Sequence, residues 1–228
     1  MEHTLTFSAA IVAAVLTGGI PFGYIAGKAL KGIDVREHGS GNLGATNVAR
    51  VLGLPVGIGV LLLDAAKGFV PPFFFPMLAE QLGGVGEATP WLAPVLALCA
   101  IAGHNWPPYL RFRGGKGVAT SLGALLAIDP LCVCVGLAFF IIVAIATRWV
   151  SLGSIVAGLA AMAFAWLTSN TAHDLQADLF ITVLAVLIVV RHRANIKRIL
   201  SGTEPRFGLS KKEQPSQQQA TDGSKGGN

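Results

Sequence analysis

The stretch Leu131-Cys-Val-Cys-Val-Gly-Leu-Ala-Phe-Phe-Ile-Ile-Val-Ala-Ile-Ala-Thr147 decides the fold, because it is apolar on every side. A helix in water needs a polar face, and this run has none to offer. Leu179 to Val190 reads the same way. Over the 228 residues, 53% are hydrophobic and 13% charged, with a mean hydropathy of +0.62. That balance excludes an ordinary soluble domain and points to an all-α, polytopic integral membrane bundle.

Spans of roughly 20 apolar residues, shorter where a helix is broken, are marked by their polar punctuation. They fall at 4 to 27, 52 to 79, 90 to 109, 117 to 128, 131 to 147, 150 to 169 and 177 to 191. The fourth is short, and Asp129-Pro130 makes a tight turn into the fifth, so five or six spans is the alternative count. The second holds Asp64, Lys67 and Pro71-Pro72, so a bend is expected there. Met1-Glu2-His3 lacks the basic start of a cleaved signal, so the first run reads as a retained span. Cys99, Cys132 and Cys134 all lie in apolar runs and suggest neither a disulfide nor a metal site.

Seven spans with the N-terminus outside sort the charges. Segments 28–51, 110–116, 148–149 and 192–228, with Arg191, then hold every Lys and Arg except Lys67. Glu2, Glu80, Glu87, Asp129, Asp174 and Asp178 fall on the outer side. The basic pI of about 9.4 follows from this topology, with the C-terminus cytoplasmic, and calls for no nucleic-acid partner. Residues 1–208 read as one membrane domain, and 209–228 as a disordered polar tail.

Three cytoplasmic segments carry the chemistry. Gly39-Ser-Gly-Asn-Leu-Gly-Ala-Thr-Asn-Val-Ala-Arg50 is a small, polar loop able to fold tightly and offer amides to an anion, with Arg50 as a bidentate cation. Gly103-His-Asn-Trp-Pro-Pro-Tyr-Leu-Arg-Phe-Arg-Gly-Gly-Lys-Gly-Val-Ala-Thr120 places Lys116 among Gly114, Gly115 and Gly117, just before a helix that can begin at Val118. Spacing around Lys116 fails the nucleotide-binding Gly-x-x-x-x-Gly-Lys-Ser/Thr pattern, which removes nucleotide hydrolysis. In the third segment, helical spacing puts His192, Asn195 and Ile199 on one face. Ser151 and Ser154, after Arg148-Trp149, are weaker candidates on the same side. A His-x4-Asp pattern at His173 to Asp178 matches a class of glycerolipid acyltransferases, but it falls in the last outer loop, away from every cationic segment, and is set aside.

Ser40-Gly-Asn-Leu-Gly-Ala-Thr-Asn47, Gly103-His104 with Gly114-Gly-Lys-Gly-Val-Ala-Thr120, and His192-Arg-Ala-Asn195 with Gly202-Thr-Glu204 together resemble the three cytoplasmic motifs of the bacterial acyl-phosphate:glycerol-3-phosphate acyltransferase family. The likeness covers roughly residues 4 to 208. It implies a seven-helix bundle in the bacterial inner membrane with its site on the cytoplasmic side. It also implies transfer of an acyl group from acyl phosphate to the 1-hydroxyl of sn-glycerol 3-phosphate, without a cofactor or metal. Membrane lipid, the two phosphate substrates and an acyltransferase that produces acyl phosphate are the implied partners.

On that resemblance Ser40, Arg50, Lys116, His192 and Asn195 are the expected catalytic residues. Asn42, Thr46, Asn47, His104, Gly114, Gly115, Gly117, Ser151 and Arg198 are expected to bind substrate, and Glu204 to be structural. An acyl phosphate is a mixed anhydride with a good leaving group, so positioning and charge stabilisation matter more than a strong nucleophile. The competing class is an organic-phosphate transporter, which would place cations on both sides of a pathway. A non-catalytic lipid-binding scaffold leaves the glycine loops unexplained.

Overall fold

The computed structural model describes residues 2–82, 89–169 and 175–208. Among the described residues all regular structure is helical. The first span is two helices, α1 (Glu2–Gly19) and α2 (Phe22–Lys31), interrupted at Ile20-Pro21. Pro21 has no N–H to continue the ladder. Gly32, at φ 66°, then ends α2 in a left-handed turn, its N–H returning to Lys28 O at 3.1 Å.

Short α3 (Ala45–Leu52) precedes α4 (Leu54–Gln81), which is continuous helix through Pro71, Pro72 and Pro76. Then come α5 (Thr89–Asn105), α6 (Val118–Ile128) and α7 (Pro130–Thr147). Asp129 is the one residue between α6 and α7, and its carboxylate caps α7 by accepting from Cys132 N at 3.0 Å. The chain continues as α8 (Val150–Thr168), α9 (Leu175–Arg191) and α10 (Arg193–Leu200).

Each apolar stretch is therefore helical. Among the described residues, four helices have the length and apolarity of a span: α1 with α2, α4, α7 and α8. The pair α9 and α10 makes a fifth if its 54° bend is counted within one span. With 17 and 11 residues, α5 and α6 extend about 26 and 17 Å, so they cross less of the bilayer. The outer surface suits lipid, with Leu62, Ile142, Ile145 and Leu167 all well exposed.

Short as it is, α6 is central, packing on α4, α5, α7 and α9. Two glycines make its approach to α4 close: a Cβ at Gly123 would run into Ala65 O, and one at Gly68 into Thr120 O. In lipid, where burial gives helices little reason to associate, such small-residue contacts are what holds them together. The α1–α5 pair repeats the device with Gly18 and Gly103. Asp64 and Lys67, one turn apart on α4, form a buried pair at 2.7 Å. Lys67 also donates to Ile20 O at 2.6 Å, so the break between α1 and α2 is tied to α4.

Candidate active site

Three short segments converge at one end of the bundle around a cavity of about 330 Å³. The first is organised by Asn47, which is 1% exposed. Its amide donates to Val35 O, His38 O and Asn42 O, at 2.8 to 3.1 Å, while its Oδ1 accepts from Ser40 N and Ser40 Oγ. Gly39 and Gly41 have φ of 62° and 71°, and a Cβ at Gly39 would strike Asn47 Oδ1. Asn42 caps the turn by accepting from Gly44 N at 2.8 Å. The expected loop is thus half helix, since α3 starts at Ala45 and presents Thr46 and, one turn on, Arg50 to the cavity. Asn47, expected from sequence to bind substrate, lines the cavity too, and its hydrogen-bonding groups are engaged within the loop.

The second segment hangs from His104. Gly115 N donates to His104 O at 3.2 Å, and the Arg191 guanidinium donates to Gly115 O. Arg191 also lies 5.4 Å from the centre of the Trp106 ring. Gly114 and Gly115 are pressed against His104, Asn105 and Pro107 with no room for a Cβ, and Gly117, at φ 79°, sits against Asn105 Oδ1. Lys116 and Gly117 line the cavity whereas Gly114 and Gly115 do not. The two glycines, expected from sequence to bind substrate, back the loop that carries Lys116. His104 reaches the cavity but is 7% exposed, with its Nδ1 3.7 Å from Asp64 Oδ1.

The third segment bends. His192 is the N-cap of α10, where the chain bends by 54° from α9, and Ile196 N donates to His192 O at 2.9 Å, so His192, Asn195 and Ile199 keep the helical spacing expected of them, with His192 and Asn195 lining the same cavity. His192 Nδ1 pairs with Ile188 O at 2.8 Å, which leaves Nε2 as the acceptor of a neutral ring. Lys116 Nζ donates to Asn195 Oδ1 at 2.7 Å, and Asn195 Nδ2 donates to Glu204 Oε1 at 2.6 Å. Glu204 also accepts from Ser151 Oγ at 2.6 Å and from Arg198 Nε at 2.7 Å. Burial alone would raise the Glu204 carboxyl, but hydrogen bonds from Ser151, Asn195 and Arg198 outweigh it and hold the group below its ordinary range.

Burial brings the Lys116 ammonium down to about 8; Glu204 opposes that fall, and Arg198, Arg191 and Arg50 add to it. A half-buried cation repelled by three guanidinium groups and balanced by one carboxylate is a site short of negative charge. An anion with several oxygens fits it. Asp64, Ser154, Phe140 and Phe207 also line the cavity. The only sequence signal for Asp64 was its spacing to Lys67, and that spacing fits a structural pair equally well. Of the set-aside His-x4-Asp pattern, His173 and Asp174 lie outside the described residues, and Asp178 is buried at the far end of α9.

A second cavity of about 410 Å³ adjoins the first and is lined almost wholly by apolar side chains of α3, α4, α6, α7, α8 and α9. Leu54, Ile58, Leu61 and Leu137 on its wall are 40 to 57% exposed, so it opens sideways through the lipid-facing surface.

Residues 8–202 match the family model described as glycerol-3-phosphate acyltransferase. Among curated relatives, a glycerol-3-phosphate acyltransferase of Clostridioides difficile (strain 630) is 45% identical over 208 residues, covering 90% of this chain and 98% of its own. One from Geobacter sulfurreducens is 45% identical over 194 residues, covering 85% and 94%. Two crystal structures of PlsY (YgiH), an integral membrane glycerol 3-phosphate acyltransferase, superpose at 37% identity over 89% of this chain. The glycerol 3-phosphate form has a TM-score of 0.77 and covers 96% of that chain; the lysophosphatidic acid form has a TM-score of 0.76 and covers 95%.

Proposed function

The chain belongs to the glycerol-3-phosphate acyltransferase family, and on that premise we propose that it transfers a fatty acyl group from acyl phosphate to the 1-hydroxyl of sn-glycerol 3-phosphate, giving lysophosphatidic acid and inorganic phosphate. The observation that carries the reading is the pair of joined cavities. One is cationic and lined by backbone-rich loops, and the other is apolar and open to lipid. Glycerol 3-phosphate needs only the first. Acyl phosphate needs both, and a transporter for small phosphates has no use for the second.

In this arrangement Lys116, Arg50 and Arg198 hold the phosphates, while Ser40, Asn42 and Thr46 orient them. The glycerol oxygen attacks the acyl carbonyl, the carbonyl–phosphate C–O bond breaks, and the hydroxyl proton ends on the leaving phosphate. Charge at the leaving group is stabilised by cations fixed around the cavity. His192, with Nε2 as acceptor, is the side chain built to carry that proton. Retention of most turnover by His192→Ala at saturating substrate would assign the transfer to a substrate phosphate instead.

The segregation of Lys and Arg supports an inner-membrane protein with its site, and its C-terminus, in the cytoplasm and its N-terminus outside. Residues 1–208 are then the catalytic membrane domain and 209–228 a dispensable tail. The deciding experiment incubates purified protein in detergent with acyl phosphate and radiolabelled glycerol 3-phosphate. Labelled lysophosphatidic acid is expected, and its absence, with acyl phosphate intact at the end, defeats the reading.

A further inference from the structure

The polar and apolar cavities share a neck, and one side chain on it comes from outside the helical bundle. Thr46, Val118, Phe140, Val150 and Ser154 line both cavities from α3, α6, α7 and α8. Phe207 also lines both, but it is carried by an irregular strap that follows α10 and lies past residue 202, where the family match stops. The strap is fixed at three points. Glu204 accepts from Ser151, Asn195 and Arg198. Arg206 lies 5.8 Å from the centre of the Trp149 ring. Phe207 N donates to Arg148 O at 2.8 Å.

An acyl phosphate bound as proposed has its phosphate in one cavity and its alkyl chain in the other. The carbons next to the carbonyl must then cross the neck. We propose that Phe207 is a specificity-determining residue for the acyl donor, its ring sensing bulk at the carbons adjacent to the carbonyl and admitting straight chains over chains branched there. This rests on the acyltransferase function argued from the two cavities. The ring is suited to a test because it is 41% exposed and the three anchors of the strap use other groups, including the main-chain N–H of residue 207. Replacing the side chain changes the neck and leaves the strap attached.

The experiment compares kcat/KM of purified full-length protein for a straight-chain acyl phosphate and for its 2-methyl-branched counterpart of equal length, with glycerol 3-phosphate as acceptor. Wild type is expected to prefer the straight chain. In Phe207→Ala that preference falls by at least about tenfold, the lower end of the range in which a pocket senses a single methyl group, while in Phe207→Trp it rises. KM for glycerol 3-phosphate stays within about twofold in both, because the acceptor does not cross the neck. Unaltered preference in both variants, with melting temperatures like wild type, overturns the proposal, as does a wild type indifferent to branching. Should Phe207→Ala fold poorly, Phe207→Leu and Phe207→Trp give the same opposed shifts. A wild type that makes no product from either donor overturns the acyltransferase reading itself, so the two failures are told apart.

Discussion

At Lys116, burial and three neighbouring guanidinium groups work against a charge that a bound phosphate would restore. The pH dependence follows. In the free protein the ammonium is charged below about pH 8, so binding of a phosphate is retained there and lost as the pH rises through that value. We expect kcat/KM for glycerol 3-phosphate to fall above about pH 8, with kcat holding to higher pH because the bound anion raises the pKa again; initial-rate profiles at varied substrate check both limbs. The same depression is a stability statement. Between about 8 and the ordinary 10.5 the unfolded chain binds a proton that the folded one has released, so folding stability rises with pH across that window and carries a penalty below it. Lys116→Met should therefore melt at higher temperature than wild type at pH 7 while losing at least about a hundredfold in kcat/KM. Equal or lower melting temperature would contradict the electrostatic account. Lys116 could be picked out from its glycines and their place beside an apolar run. That Gly114 and Gly115 back the loop could not, because a glycine that bares its amides to a ligand and one that clears space for His104 leave the same trace in a sequence.

The elements around the site are held by close helix approaches, and α6 depends on them most, since its N-terminus follows directly on Lys116 and Gly117. Gly123→Ala would force α6 away from Ala65 O on α4, at a cost of roughly 1 to 3 kcal/mol. Activity should fall with stability, because the loop moves with the helix. Gly59→Ala is the control: it lies in α4 with nothing within 4 Å of the added methyl, so it should leave activity intact and raise the melting temperature slightly through helix propensity. Thermal unfolding and turnover of the two variants in the same detergent test this. Elements were legible where hydropathy speaks. The seven apolar runs are all helical, and Asp129-Pro130 does turn α6 into α7. What could not be foreseen was α3, whose polar, glycine-led start reads as a loop, and the bend at His192, where the periodicity of Arg191 to Ile199 shows no break. Both depend on tertiary partners: Ala45 to Leu52 is packed on α4, and Glu204 draws Asn195 and Arg198 to itself.

On the scale of the whole molecule, the orientation proposed from the segregation of Lys and Arg is open to direct test. Single cysteines placed at residue 3 and in the tail after residue 209, in a background lacking Cys99, Cys132 and Cys134, should label from the outer and the cytoplasmic side respectively with an impermeant maleimide. Labelling of both from one side would refute the seven-span topology. Deleting 209–228 should leave kcat and both KM values within about twofold, since the anchors of the strap end at Phe207. Composition alone announced an integral membrane protein, and three separated motifs announced one site. The joining of a polar to an apolar chamber was hidden, because its walls come from six helices whose apolar residues look alike whether they face lipid, each other or a void.

The sideways opening of the apolar cavity sets the geometry of supply. A donor that arrives through the lipid is not counted in moles per litre but in molecules per unit area of membrane, and the product, still tethered by its chain, departs into the same plane. Turnover at fixed total donor should thus decline as inert lipid is added, with no change in water volume, while the acceptor obeys ordinary bulk concentration. Such a protein works at the meeting of a two-dimensional and a three-dimensional pool, and the crowding of the bilayer becomes one of its kinetic variables.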